Sequence, residues 1–98
     1  MATMQMTIFE GASQTATGAV LQEEIVTISG TAAPTSVIEG DGRKQVIARI
    51  YCDVDAWVTW GTGVTALQDG TEGRMIGANN PEYFRLEAGW SVSVIERV

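Results

Sequence analysis

Apolar and polar residues alternate along most of this chain, which is the pattern of β-strands and not of α-helices. Near the start, Met4, Met6 and Ile8 alternate with polar neighbours, and side chains two residues apart on a strand point to the same face. No window of about a dozen residues repeats apolar positions at helical spacing without an intervening glycine or proline. The pattern therefore predicts strands and almost no helix.

The alternation predicts seven or eight short strands separated by turns. They cover residues 3–9, 20–28, 37–39, 45–53, 56–61, 74–78, 82–87 and 90–97. Glycine, proline, aspartate and asparagine are frequent in the intervals, and each favours a turn for its own stereochemical reason. Short strands at this spacing are typical of antiparallel sandwiches and barrels. We therefore predict an all-β fold, a small antiparallel β-sandwich or barrel with an N-terminal arm.

The strand at 45–53 has the clearest division into two faces. One face carries Val46, Ala48, Ile50 and Cys52. The other carries Ile47, Arg49, Tyr51 and Asp53. We expect the first set to face the core, where Cys52 is a buried small hydrophobe.

The last two strands divide their side chains in the same way. In the strand at 82–87, Tyr83 and Arg85 share one face, and Phe84 and Leu86 share the other. In the final strand we expect a core-facing set that consists of Trp90, Val92 and Val94. The serines between them, Ser91 and Ser93, are expected to face away from the core.

The first strand is separated from the others by a run of small residues, GASQTATGA at 11–19. Such a composition is typical of a flexible link. We therefore divide the chain into an N-terminal strand and link at 1–19 and a β-sandwich domain at 20–98. An apolar strand on a flexible link is suited to pairing with the sheet edge of a partner. Its candidate partner-binding residues are Met4, Met6, Ile8 and Phe9.

Charge and composition exclude several classes of function. The chain has 98 residues, a net charge of −6 and only 18% charged residues. An acidic chain with scattered basic residues is unsuited to nucleic acid or to anionic membranes. No apolar stretch approaches the roughly 20 residues of a membrane span, and the N-terminus does not resemble a signal peptide. A surface poor in charge and rich in small hydroxyl residues suits one that a partner covers.

The residues that usually carry catalysis are scarce. Histidine is absent, and the single cysteine precludes an intramolecular disulfide, as is common in the cytoplasm. We therefore predict no enzyme, no metal site and no cofactor. Asp53 and Asp55 share a face if the strand is regular, so they could bind Ca²⁺ or form a glycosidase pair. The interpretation we favour is a turn with both carboxylates in water.

Two tryptophans are the other candidates for binding. Trp57 and Trp60 are three residues apart on one strand, so they point to opposite faces. One can enter the core, and the other is then exposed or covered. An exposed tryptophan on a sheet suits a sugar platform or a protein interface, whereas partial burial under a loop is an equally good interpretation.

Residues 46–98 resemble the C-terminal halves of small virion proteins of tailed bacteriophages, known as head decoration or cement proteins. The resemblance consists of short elements in a fixed order. They are Trp60-Gly61, the Thr/Ala-rich loop 62–66, Met75-Ile76, the segment Asn80-Pro81-Glu82-Tyr83-Phe84, and Ala88-Gly89 before the last strand. The residues before position 46 match only loosely.

This resemblance implies a non-enzymatic virion protein that decorates the capsid exterior and stabilises it. Its partner is then the major capsid protein, it acts as a homo-oligomer (a trimer or dimer), and it is made in the host cytoplasm before it joins the virion. Two alternatives remain open. One is a lectin-like carbohydrate-binding module that uses Trp57 or Trp60. The other is a tail or head–tail joining component.

Overall fold

A computed structural model describes residues 2–10, 20–40, 42–66 and 73–97. Within these ranges the chain forms eight strands and no helix. The strands are β1 (Thr3–Glu10), β2 (Val20–Thr27), β3 (Ala33–Pro34), β4 (Gln45–Cys52), β5 (Ala56–Gly61), β6 (Arg74–Ile76), β7 (Glu82–Glu87) and β8 (Ser91–Glu96). In the described part of the chain there is consequently no helix able to cross a membrane.

The strands form two antiparallel sheets packed as a sandwich. Sheet A has the order β2-β1-β4-β7, and sheet B has the order β3-β8-β5-β6. Their inner faces meet in a single hydrophobic core, as expected when two amphipathic sheets bury their apolar faces against each other. The predicted all-β fold is confirmed, in the form of a sandwich.

The core is built from alternate residues of both sheets. Sheet A contributes Met4, Met6, Ile8, Val46, Ala48, Ile50, Cys52 and Leu86. Sheet B contributes Ala56, Val58, Ile76, Val92 and Val94. All of these side chains are at most 1% exposed, so the predicted inner face of the strand at 45–52 is confirmed, including the burial of Cys52.

The position of β1 corrects the expectation of an N-terminal arm. β1 lies between β2 and β4 and pairs with both over nearly its whole length. Met4, Met6 and Ile8 are fully buried in the core of their own chain, not displayed to a partner. Period-2 alternation shows that a strand has one buried face, but not which chain covers it. Residues 11–19, where we expected the flexible link, lie outside the described residues.

One open side of the sandwich, between β2 and β3, is closed by the segment 35–39. We predicted a short strand at 37–39, but the structure has none there. The segment is held by side chains of β2: the backbone N–H of Ser36 donates to the Glu24 carboxylate at 3.0 Å, and that of Glu39 donates to Gln22 Oε1 at 3.0 Å. Ile38 is thereby buried in the core. β3 forms instead, and its Pro34 is tolerated because β3 is an edge strand.

Sheet B has an outer face that is partly covered by its own chain. Val92 and Val94 face the core as predicted, and Trp90 is half-buried against it. Ser93 faces away from the core, yet it is only 2% exposed, because the loop at 64–66 lies over it and Ala66 N–H donates to Ser93 Oγ at 3.0 Å.

Candidate functional site

The outer face of sheet A brings together residues from strands that are distant in sequence. In the β4–β7 ladder, Ile47 is opposite Arg85 and Arg49 is opposite Tyr83. On the other side of β4, Phe9 of β1 is opposite Ile47. We call this surface the aromatic–arginine face. It consists of Phe9, Ile47, Arg49, Tyr51, Tyr83 and Arg85.

A cavity of about 290 Å³ opens on this face. It is lined by Ile47, Tyr83, Phe84 and Arg85. Ile47 points away from the core but is only 4% exposed, because it lies in a row between Phe9 and Arg85. Tyr83, by contrast, is 53% exposed. The cavity therefore combines two apolar residues, an accessible phenol ring and a cationic side chain.

The two arginines of the face differ from Arg43 and Arg74, which form salt bridges. Arg74 forms a salt bridge with Glu82 at 2.9 Å, and Arg43 forms one with Glu10 at 3.6 Å. Arg49 instead lies over the Tyr51 ring, with its Cζ 5.6 Å from the ring centroid. Arg85 donates to the amide oxygen of Gln45 in a long contact of 3.4 Å. Neither Arg49 nor Arg85 forms a salt bridge with a carboxylate among the described residues.

Tyr51 is held in place from the far end of its ring. Its hydroxyl donates to Asn79 Oδ1 at 2.6 Å. Asn79 has a φ of 59°, a left-handed conformation that asparagine tolerates better than most residues. Its N–H also donates to the Cys52 carbonyl at 2.7 Å. The turn at 77–80 is thus tied to the end of β4, and it orients the tyrosine.

The carboxylates Asp53 and Asp55 stabilise backbone rather than form a paired site. Asp53 Oδ1 accepts the N–H of Thr3 at 2.9 Å. Asp55 Oδ1 accepts the N–H of Ala78 at 2.8 Å. The turn between β4 and β5 was therefore predicted, but its acids have structural partners that the sequence did not indicate. In the described ranges no three His, Cys, Asp or Glu side chains are grouped as a metal site.

The tryptophans do lie on opposite faces of β5, and neither offers an open ring. Trp60 packs against the core and against Phe84, with ring centroids 4.6 Å apart. Trp57 is half-buried on the outer face of sheet B, where the guanidinium of Arg97 lies 5.7 Å from its ring centroid. Of the partner-binding candidates from the sequence, only Phe9 belongs to the aromatic–arginine face.

The thiol of Cys52 is in an unreactive environment. It is fully buried, and this burial, with a smaller contribution from the negative charge of Asp53, raises the pKa of its thiol to about 12. Since the thiolate is the reactive form, the geometry does not support a nucleophile at this position.

Comparisons with protein-family models, with curated proteins and with solved structures found no match to this chain.

Proposed function

We propose that this chain is a non-enzymatic structural protein of a tailed-phage virion, which binds the capsid exterior through its aromatic–arginine face and stabilises the shell. The observation that carries the proposal is the exposure of Tyr83 beside Ile47 and two arginines without carboxylate partners among the described residues. Tyrosine and arginine are enriched at protein interfaces and among the residues that dominate binding energy. A partner that covers this face gains both apolar contact and charge pairing.

The assignment to a phage virion is supported by the resemblance over residues 46–98. These residues include β5 to β8 and nearly all of β4. They therefore contain every member of the aromatic–arginine face except Phe9. The proposed partner is the major capsid protein, and the proposed state on the shell is a homo-oligomer. With β1 built into the sheet, docking by a free N-terminal arm is replaced by docking through a preformed face.

Capsid stabilisation by such a protein follows from mass action. A ligand that binds only the assembled shell stabilises it by RT ln(1 + [L]/Kd) for each site. A capsid repeats the same site many times, so a modest affinity at each site adds up to a large effect on the whole shell. Such a role needs a binding surface and no catalytic group.

A carbohydrate-binding module is the second candidate, and one observation favours it. Tyr83 is an exposed aromatic ring next to a cavity, and an aromatic ring with a polar end suits a sugar as well as a protein. Tyr83 replaces Trp57 and Trp60 as the expected sugar platform, because both tryptophan rings have neighbours over them. A role in the tail or at the head–tail junction would use the same face with a different partner.

The proposal is tested by co-sedimentation with shells assembled from the major capsid protein of the same genome. We expect the wild-type protein to pellet with the shells. Replacing a central cation of the face, Arg49→Glu, should weaken binding by about tenfold or more, as expected for a charge in an interface core. The matched control is Arg97→Glu, at the residue after β8, which should bind normally.

Two results would overturn the proposal. One is a wild-type protein that stays in the supernatant with its own shells. The other is equal binding by Arg49→Glu and the wild type. Binding to a glycan array that is lost in Tyr83→Ala, without shell binding, would establish the carbohydrate module instead.

A further inference from the structure

Sheet A ends in two open edges. Among the described residues β2 pairs only with β1, and β7 pairs only with β4. The unpaired N–H and C=O groups of an edge strand are a template for another strand. Each edge also exposes a large apolar residue: Ile25 of β2 is 69% exposed and Tyr83 of β7 is 53% exposed.

The inward-pointing side chains at both edges are already used within the chain. On β2, Gln22 and Glu24 hold the segment 35–39. On β7, Glu82 binds Arg74, and Phe84 packs on Trp60. These contacts close the sides of the sandwich beneath sheet A. The outward-pointing residues of the same two strands form a separate set, which remains available for contact with another molecule.

The directions of the two edge strands are complementary. Each neighbouring pair in sheet A is antiparallel, so β2 and β7 run in opposite directions. If a second copy continues the sheet with the same face outward, its β2 lies antiparallel to β7 of the first copy. Two copies can therefore extend sheet A across their boundary without reversing a face.

One register of this antiparallel pairing also places chemically compatible side chains opposite each other. With Tyr83 opposite Ile25, Arg85 is opposite Glu23, and all of β7 lies within the length of β2. Aromatic with β-branched residues and opposite charges are both favourable cross-strand pairs. The pairing also supplies a carboxylate to Arg85, which has none among the described residues of its own chain.

Neighbouring registers are less favourable. A shift by one residue would move the outward set of one strand to the inner face of the other. A shift by two residues in one direction places Glu23 opposite Glu87, a repulsive pair. A shift by two in the other direction places Glu23 opposite Tyr83 and leaves Arg85 opposite Leu21.

We propose that β7 of one copy pairs antiparallel with β2 of a second copy, with Tyr83 beside Ile25 and Arg85 beside Glu23. The contact is heterologous, because it joins two different edges. It therefore builds a ring if the rotation between copies closes and an open chain if it does not. The inference depends on the sheet edges and not on the proposed role in a virion.

A charge-swap experiment tests this interface in the full chain. Sedimentation velocity over a range of protein concentrations should show wild-type species larger than the monomer. Glu23→Arg and Arg85→Glu should each weaken association by about tenfold, because each turns a favourable pair into a repulsive one. The double variant restores opposite charges, so its association should return to within about threefold of the wild type.

A control away from the two edges separates this effect from a change in net charge. Arg97→Glu makes the same charge change as Arg85→Glu in an exposed residue, and it should associate like the wild type. Circular dichroism should show that every variant is folded, since Glu23 and Arg85 are exposed. A monomeric wild type at the highest attainable concentration overturns the proposal, as does a double variant no better than the single ones.

Cross-linking gives a second measurement that does not depend on charge. Ile25→Cys and Tyr83→Cys proteins, mixed and oxidised, should form a disulfide between chains, because the paired residues lie within disulfide reach. The native Cys52 is fully buried and should not interfere. Ile25→Cys mixed with Lys44→Cys is the control. Equal cross-linking in the two mixtures would rule out the proposed register.

Discussion

The two faces of sheet A are made by the same strands, but their side chains have different surroundings. On the inner face Met6, Ala48 and Ile50 have no exposed surface. On the outer face of β4, one residue further along the strand, Arg49 and Tyr51 are half-buried and form side-chain contacts at the surface. Under the proposed function, the alternation of the strand thus separates stability from binding at the level of single residues. We expect substitutions on one face to unfold the protein and substitutions on the other to change what it binds.

The outer face also departs from what is usual for an antiparallel sheet. Such a sheet commonly places apolar residues inside and polar residues in water. Here Ile47 is nearly buried on the outer side, and Ile25 and Tyr83 are exposed on the edge strands. This excess of apolar and aromatic residues outside the core is the feature from which we infer a binding surface.

The largest effect should come from removing β1. Deletion of residues 1–17 removes the strand that joins β2 to β4 and the three core side chains Met4, Met6 and Ile8. We expect the truncated protein to lose cooperative thermal unfolding, monitored by circular dichroism. A truncated protein that remains folded with a sharp transition would show that β1 is an accessory arm after all.

A single inner-face substitution should have the next largest effect. Met6→Ala removes a fully buried side chain, and such changes reduce the free energy of unfolding by about 2–5 kcal/mol. The outer-face control Arg49→Gln should stay within about 0.5 kcal/mol of the wild type. Urea unfolding of both proteins checks the comparison, and equal losses would contradict the separation of the two faces.

Cys52 on the inner face should also make the free energy of unfolding depend on pH in the alkaline range. An unfolded cysteine loses its proton near pH 9.0, whereas burial keeps folded Cys52 protonated until about pH 12 because its pKa is raised. In this interval the folded state holds more protons than the unfolded state, so the free energy of unfolding falls as the pH rises. The slope from this group is about 1.4 kcal/mol per pH unit.

Cys52→Ala provides the comparison for that slope. All other titrating groups are common to both proteins, so the variant should lack only the contribution of the thiol. Urea unfolding across the alkaline interval measures both slopes. If they coincide, the thiol is not shielded as the structure indicates.

The smallest effect is expected on the outer face. Tyr51→Phe removes the hydrogen bond to Asn79, which should cost about 0.5–1.5 kcal/mol of unfolding free energy. Tyr83→Phe is the matched control, because the Tyr83 hydroxyl has no hydrogen bond with the described residues, and its stability should be unchanged. A larger loss in Tyr83→Phe than in Tyr51→Phe would mean that the two tyrosines have been assigned the wrong roles.

The sequence by itself determined which side chains share a face. The division of the strand at 45–52, the opposite directions of Trp57 and Trp60, and the exclusion of Pro34 from a central strand are all confirmed. Each of these depends on local geometry, because side chains alternate along any strand and proline always lacks an N–H. The same local rule placed Arg49 with Tyr51, and Tyr83 with Arg85, before any pairing was known.

Only the tertiary structure decided which strands are neighbours. The sequence did not indicate that β4 pairs with β7, which unites Arg49 and Tyr83 in one surface. It also did not indicate that β1 is central, or that the loop at 64–66 buries Ser93. Strand pairing and register depend on contacts between residues far apart in the chain, whereas alternation repeats identically whether a strand is central, at an edge or on a partner.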